Sequence, residues 1–569
     1  MLKDVQQDRV ITRYWWAWLI SIIAISCIIR FYFLPWNLPP ILDGIDDLAY
    51  SLEIRNSGHL PERWPMANNG WPSMLGGIFS IISSERFFDF VNYYRISNVM
   101  TSVITIIPVY FITNRFFGKY LGLLGAALFA FEPRLIINST MVSNDSIFIL
   151  IVSLIILLFF YKNSKNLFII FGLIGLATIF RYEALVLIIP GTILFFLGSK
   201  KKIKNIQKYC LSLFLFLIIL IPFLALNHYT SGQDGISNQY LSAINREYYQ
   251  LSESDYSDNR YLSEKIDSEN ENFSYISNGL MNLVKFLGIS SIPFFVLLVP
   301  YGIFSILRNR NFEKNVIIIL FIFAILPAIY GYMSGFDDVR YLFVLYPIFS
   351  LLSLFSLQKI KNRMKKQDVF FIIILLILIT IGITMNLEQI EKNNQGKEYF
   401  FVSQKVVDLA TGYNLYSPAS QYIKSAELEN RWPNSSISTI SGHVVKETVR
   451  IDYDNEKTLR EFIQDSRDIK KKGMKTPDWA KFELVDSSKV SLLDPLYYLS
   501  DGTKKETPVG LSHIVADNKQ HRPDYIQDVF FNEKKYPYLI KKFDSEDFDL
   551  EYKVKIFEID YKKFDEFFN

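Results

Sequence analysis

A single apolar α-helix needs about 20 residues to cross roughly 30 Å of hydrocarbon, and this chain supplies nearly charge-free runs of that order again and again. They lie at 14–33, 93–111, 120–137, 145–161, 167–180, 183–198, 208–226, 281–305, 314–333, 341–358 and 369–385. Backbone amides and carbonyls inside a bilayer must be satisfied within their own segment, so each run predicts a helix. The expected fold class is a polytopic α-helical membrane protein with about eleven transmembrane helices. The first run has the charged flank of a signal peptide, yet it is too long and no Ala-x-Ala-like site follows, which predicts a retained helix.

Charge placement gives the orientation. Lys3, Arg9 and Arg13 precede the first run, and basic residues follow every even-numbered one: Arg115 and Lys119, Lys162 and Lys165, Lys200 to Lys202 with Lys204, Arg308 with Arg310 and Lys314, and Lys359, Lys361, Arg363, Lys365 and Lys366. The opposite loops, 35–91 and 227–280, and the tail from Asn386 carry the acidic residues. By the positive-inside rule the N-terminus is cytoplasmic and the tail extracellular, on a multi-pass cell-membrane protein surrounded by lipid. A net charge of +3, with basic clusters interrupted by apolar runs, excludes a polyelectrolyte partner such as nucleic acid. Two cysteines in apolar stretches leave nothing for a structural disulfide or a zinc cluster.

Two units follow: a membrane region, 1–385, and an external mixed α/β domain, 386–569. The long first external loop, 35–91, centres on Asp43-Gly44-Ile45-Asp46-Asp47. It continues with an expected interfacial helix over 50–58, the turn Asn68-Asn69-Gly70 between Trp64-Pro65 and Trp71-Pro72, and a second helix over 73–83. In the tail, the pattern predicts helices over 402–410, 419–426 (after Pro418) and 525–531, strands over 512–516 and 554–559, and a surface loop at 469–475.

Chemistry-bearing residues gather on the external side. Asp43, Asp46 and Asp47 would repel one another unless compensated, so they read either as solvated loop charges or as a site. In a site, they could hold a divalent cation, Mg or Mn, with Asp145 as a further ligand, or one carboxylate could act as general base beside its neighbour. Asp145 is also of helix-capping type. Arg134 and Arg181 stand near external helix ends, where a guanidinium is costly without an anion; Arg181 has Glu183 as a simple internal partner. In Asp337-Asp338-Val339-Arg340, Arg340 could hold a phosphate with Asp337 or Asp338 shaping the acceptor side, or the group could be an ordinary helix start.

The ordered set resembles the integral-membrane GT-C glycosyltransferases, closest to the protein O-mannosyltransferase and aminoarabinose-transferase branch with a prokaryotic character. It comprises Asp46-Asp47, Tyr94-Arg95, Phe116-Phe117-Gly118, Pro133-Arg134, Asn144-Asp145, Gly172 to Ala177, Arg181-Tyr182 and Arg340-Tyr341 through Pro347. The resemblance covers roughly residues 14–385. It implies a GT-C-like membrane catalytic domain that transfers a sugar from a polyprenyl-phosphate carrier, such as dolichyl phosphate, to an external protein, lipid or glycan acceptor with inversion. It also implies that Asp46 or Asp47 lies at the reaction centre; the mechanism expected from the residues puts Arg181, Arg340 or Arg134 on the donor phosphate and Asp43, Asp145, Glu183, Asp337 and Asp338 in support. The branch commonly has Asp-Glu where this chain has Asp-Asp, and a Lys-Pro-Pro-like segment where it has Trp71-Pro72. The Trp-Trp-Asp acceptor signature of the oligosaccharyltransferase relatives is absent from the tail.

The competing readings are a transporter or flippase for a lipid-linked or anionic solute, against which stands the lack of an inverted duplication, and a binding protein whose tail recognises an envelope partner. Asn272-Phe273-Ser274 and Asn434-Ser435-Ser436 are external glycosylation sequons, while Asn138 and Asn144 head two more beside the membrane.

Overall fold

The architecture comes from a computed structural model of the chain. It describes residues 10–61, 66–160, 164–197, 202–232, 234–237, 271–308, 312–333, 336–364, 366–410, 412–414, 417–433, 447–448, 458–464, 511–519 and 522–569. Trp64-Pro65, most of loop 227–280, the 469–475 loop and the Asn434 sequon lie outside the described residues.

The chain is a multi-pass helical membrane protein. Among the described residues six helical stretches are long and apolar enough to span, and four shorter apolar helices accompany them, at Asp145–Phe160, Phe168–Phe180, Tyr182–Phe196 and Leu298–Arg308. Each of the eleven runs has helical counterparts, but their ends and continuity differ from expectation for identifiable reasons. The second and third runs form one stretch, Phe87–Ala130, that turns back at Gly118, where φ is 76°. The two arms pack on each other there, the Thr113 hydroxyl donating to the Gly122 carbonyl at 3.1 Å. The third run stops at Ala130 rather than 137, and Pro133 opens a separate helix, Pro133–Thr140. The run 281–305 is not one helix but two, Glu271–Ser291 and Leu298–Arg308, separated by the turn that holds Pro293. Proline disfavours helical geometry in the residue before it and cannot donate to the preceding turn. The tenth run begins as the 3₁₀ turn Val339–Leu345 before the helix Tyr346–Lys361.

The first external loop is more helical than its sequence suggests. Asp43, Asp46 and Asp47 are not loop residues but the opening turns of a helix, Asp43–Ser57, that begins seven residues before the expected start; a second helix spans Gly70–Phe79. Carboxylates in a first turn complement the positive end of the helix dipole, which explains the earlier start.

Beyond the last span, helix Glu388–Leu409 leads to a five-stranded sheet. Its strands are β1 (Gly412–Tyr413), β2 (Glu447–Thr448), β3 (His513–Asp517), β4 (Leu539–Asp544) and β5 (Val554–Ile559), in the order β2-β1-β3-β5-β4. β1 runs parallel to β2 and β3, while β5 is antiparallel to both β3 and β4. Helix Asp524–Phe531 packs on β3, and a helical segment runs from Pro418 to Arg431. One apolar cluster of this region, with Phe400, Val406, Tyr422, Val515 and Ile556, also buries Leu38 of the first external loop. Loop and tail therefore share a core.

Candidate active site

Two close backbone approaches bring the first loop and the segments around Asp145 and Arg181 together. A Cβ at Gly44 would stand 2.9 Å from the Val142 carbonyl, so only glycine lets the first turn of helix Asp43–Ser57 lie against the segment before Asp145. A Cβ at Gly70 would stand 2.6 Å from the Ile179 carbonyl, which seats the second loop helix on the chain just before Arg181. Side-chain amides complete the joints. Trp71 Nε1 donates to Asn98 Oδ1 at 2.8 Å, and the Asn98 amide donates to the Met141 and Ser143 carbonyls, each at 2.8 Å. Asn68 Oδ1 accepts from the Tyr182 backbone N–H at 2.9 Å, and Asn144 Nδ2 donates to the Phe180 carbonyl at 3.2 Å. Asn98 is absent from the sequence reading; a lone amide inside an apolar run was the available signal.

The three acidic residues of the opening turns have different surroundings. Asp47 is buried beside the Tyr94 hydroxyl and lies within electrostatic reach of Asp145 and Arg340. Burial, then the charges of Asp43, Asp46 and Asp145, push its carboxyl well above the ordinary carboxylate range, against the pull of Arg340. Asp46 faces the tail, with 48% of its side chain exposed and Oδ1 3.9 Å from Lys424 Nζ. The protein around its carboxyl raises it too, opposed by Lys424 and reinforced by Asp43. Asp43 is largely exposed and lies 3.5 Å from Arg340 Nη2.

Asp145 opens its helix, and the Arg181 guanidinium donates to its Oδ1; its Oδ2 is buried with no hydrogen-bond partner. Arg181 also grips Glu183 through Nη2 at 2.7 Å and Nε at 3.4 Å. Burial works against its charge, but Glu183 and Asp145 together outweigh that and hold it firmly protonated. Arg340 donates from Nε to Asp338 at 2.6 Å, while Asp338 also accepts the Arg340 backbone N–H at 2.8 Å as the cap of the 3₁₀ turn. Both simple readings, the Arg181–Glu183 pair and the helix start at Asp338, are thus present in the geometry alongside the convergence.

Asp145, Arg181, Glu183 and Arg340 line a narrow cleft together with Phe148, Ile149, Phe323, Pro327, Phe343 and Val344. Two guanidiniums in the lining of an otherwise largely apolar cleft suit an amphiphile with an anionic head. Two expected residues stand apart. Arg134 lies 3.7 Å from the buried Glu132, donates to the Ile292 carbonyl and lines no part of the cleft. Asp337 is exposed and accepts from Asn282 Nδ2 at 3.2 Å.

The fit to a divalent cation is incomplete. The unpartnered Asp145 Oδ2 is a free ligand atom, but among the described residues no three His, Cys, Asp or Glu side chains gather as a metal cluster, and a Mg- or Ca-type ion wants six or more oxygens. No step is derived through a metal.

Residues 88–225 match the family profile described as dolichyl-phosphate-mannose-protein mannosyltransferase. The matched segment holds Arg95, Asn98, Arg134, Asp145, Arg181 and Glu183; the first-loop aspartates and Arg340 fall outside it. No curated protein matches the chain. Among solved structures, the Archaeoglobus fulgidus oligosaccharyltransferase in the apo form is 13% identical over 78% of this chain, with a TM-score of 0.42, and the chain spans 62% of its length. The same protein in complex with Zn and sulfate gives 14% identity over 88% of this chain and 68% of that one, with a TM-score of 0.47. ArnT from Cupriavidus metallidurans bound to undecaprenyl phosphate is 10% identical over 95% of this chain and 98% of that one, with a TM-score of 0.45.

Proposed function

We propose that the chain is a membrane glycosyltransferase that moves a sugar from a polyprenyl-phosphate carrier to an acceptor hydroxyl on the extracellular face. The observation that carries this reading is that Asp145, Arg181 and Arg340 line an apolar-walled cleft while the buried Asp47 lies within electrostatic reach of Asp145 and Arg340. The family match over residues 88–225 supports it. In this reading residues 1–385 form the catalytic membrane domain, residues 386–569 an external domain, and the N-terminus is cytoplasmic.

The polyprenyl chain lies along the apolar walls with its phosphate at Arg340 and Arg181. An acceptor hydroxyl attacks the anomeric carbon; its proton passes to Asp47, the bond from that carbon to the phosphate oxygen breaks, and polyprenyl phosphate leaves with the sugar inverted. Arg340 is the better phosphate ligand, because its partners are more exposed than those of Arg181 and exchange more readily for an incoming anion. Asp47 is the better base, since a raised carboxyl accepts a proton more strongly once ionised, and Asp46 points instead toward Lys424. Asp145 and Glu183 orient Arg181.

The test is transfer by purified protein in lipid from a panel of polyprenyl-monophosphate sugars, with and without EDTA, alongside Asp47→Asn. The proposal expects turnover by the parent protein and its loss in the variant; activity lost to EDTA and restored by one divalent ion would add a metal to the site.

A further inference from the structure

Among the described residues, the region after the last span touches the first loop at several points. The Ser425 hydroxyl donates to the Pro40 carbonyl, and Trp432 Nε1 donates to the Glu85 carbonyl at 2.7 Å. The Arg55 guanidinium lies 4.7 Å from the Phe90 ring centroid and 5.2 Å from that of Trp432. Gly396 approaches Leu38 closely enough that a Cβ would stand 3.1 Å from its Cδ2. A further contact is between charges: Lys424 Nζ lies 3.9 Å from Asp46 Oδ1, one residue before the proposed base.

From this geometry we infer that the C-terminal region is a working part of the active site, and that Lys424 is a positioning residue that acts through Asp46 on the turn carrying Asp47. The inference rests on the transferase reading and extends it. Asp43, Asp46, Asp47 and Asp145 crowd around one turn, while Arg340 is shared between Asp338 and Asp43. Asp46 could relieve this repulsion by swinging away and drawing its helix turn with it. Lys424 holds it toward the tail, and the Ser425–Pro40 bond fixes the lysine's own helix to the same segment of loop. The ion pair is partly exposed, so its effect is small in energy; its consequence lies in where it fixes the turn.

The experiment is a double-mutant cycle in the full chain. Lys424→Gln, Asp46→Asn and both together are compared for kcat and donor KM, with Lys424→Arg as the conservative variant. For a pair of this exposure kcat should fall roughly 1.5- to 5-fold with donor KM unchanged. Lys424→Arg should restore it, and Lys424→Gln should cost clearly less in the Asp46→Asn background than in the parent. Equal losses from Lys424→Gln in both backgrounds, or no loss at all, would overturn the inference while leaving the transferase reading intact. A zero-length carbodiimide cross-link between Lys424 and Asp46, located by peptide mass spectrometry in the parent protein, tests the contact without turnover. If the parent transferred no sugar the transferase reading would fail by itself, and absence of the cross-link would then reject Lys424 independently.

Discussion

Replacing Arg340 by Gln should weaken donor binding far more than it weakens the fold. Its two ion-pair partners, Asp338 and Asp43, keep 33% and 84% of their side-chain surfaces, and Arg340 itself keeps 37%. Pairs this exposed contribute about 0–1 kcal/mol each, so the stability loss should stay near 1 kcal/mol. A guanidinium bonded to phosphate is worth about 1.5–3 kcal/mol, which at ~1.4 kcal/mol per tenfold predicts a donor Kd raised by roughly 10- to 150-fold. Arg181→Gln is the contrasting perturbation. It strips the charge partner from Asp145 and Glu183, whose side chains keep only 4% and 11% of their surfaces, and breaking such a buried pair costs about 3–5 kcal/mol. Thermal unfolding in detergent and equilibrium binding of a polyprenyl monophosphate, measured on both variants, separate the two cases. The assignment of Arg340 to the phosphate is refuted if Arg340→Gln binds the lipid as tightly as the parent, or if it melts as low as Arg181→Gln.

Asp47→Asn should abolish transfer yet raise the melting temperature at neutral pH. Because the folded carboxyl is raised, its contribution to stability is complete below the unfolded value of about 4 and is lost as pH rises through the folded value. The variant and parent should therefore melt together in acid and diverge above; a variant less stable at pH 8 contradicts the burial argument. Gly70→Ala should destabilise by about 1–3 kcal/mol, because its Cβ meets the Ile179 carbonyl and the second loop helix must move; an unchanged melting curve would rule out that close approach. Trp71→Phe removes the donor to Asn98 and leaves a buried acceptor unpaired, a loss of about 1–3 kcal/mol readable in the same melts; a neutral result would mean that Asn98 does not organise the loop.

Hydropathy locates the apolar segments well because the bilayer imposes one requirement on every spanning backbone. It fails where proline and glycine decide continuity: Pro293 divides 281–305, Pro133 ends the third run early, and Gly118 folds a single helical stretch back on itself. Charge in the external loops points to Asp46, Asp47, Asp145, Arg181 and Arg340, since isolated ionic groups beside hydrocarbon need partners. Sequence cannot say which partners meet. Arg134 satisfies the same criterion as Arg181, yet it pairs with Glu132 and lies away from the cleft. Nor does sequence separate Asp46 from Asp47. Adjacent helix positions differ by about 100° in direction, which turns one carboxylate inward beside Asp145 and the other toward a lysine hundreds of residues later. Lys424 carries no local signal, because its position depends on how the tail docks on loop residues 38–40.

The most direct measurement is release of polyprenyl phosphate together with formation of a glycosylated acceptor by the purified chain in lipid, compared with Asp47→Asn protein shown to melt no lower. Stoichiometric release and transfer by the parent, absent from the variant, is the predicted result. Equal turnover in the two proteins would contradict the assignment of Asp47, and intact donors throughout a panel of polyprenyl-monophosphate sugars would contradict the transferase itself.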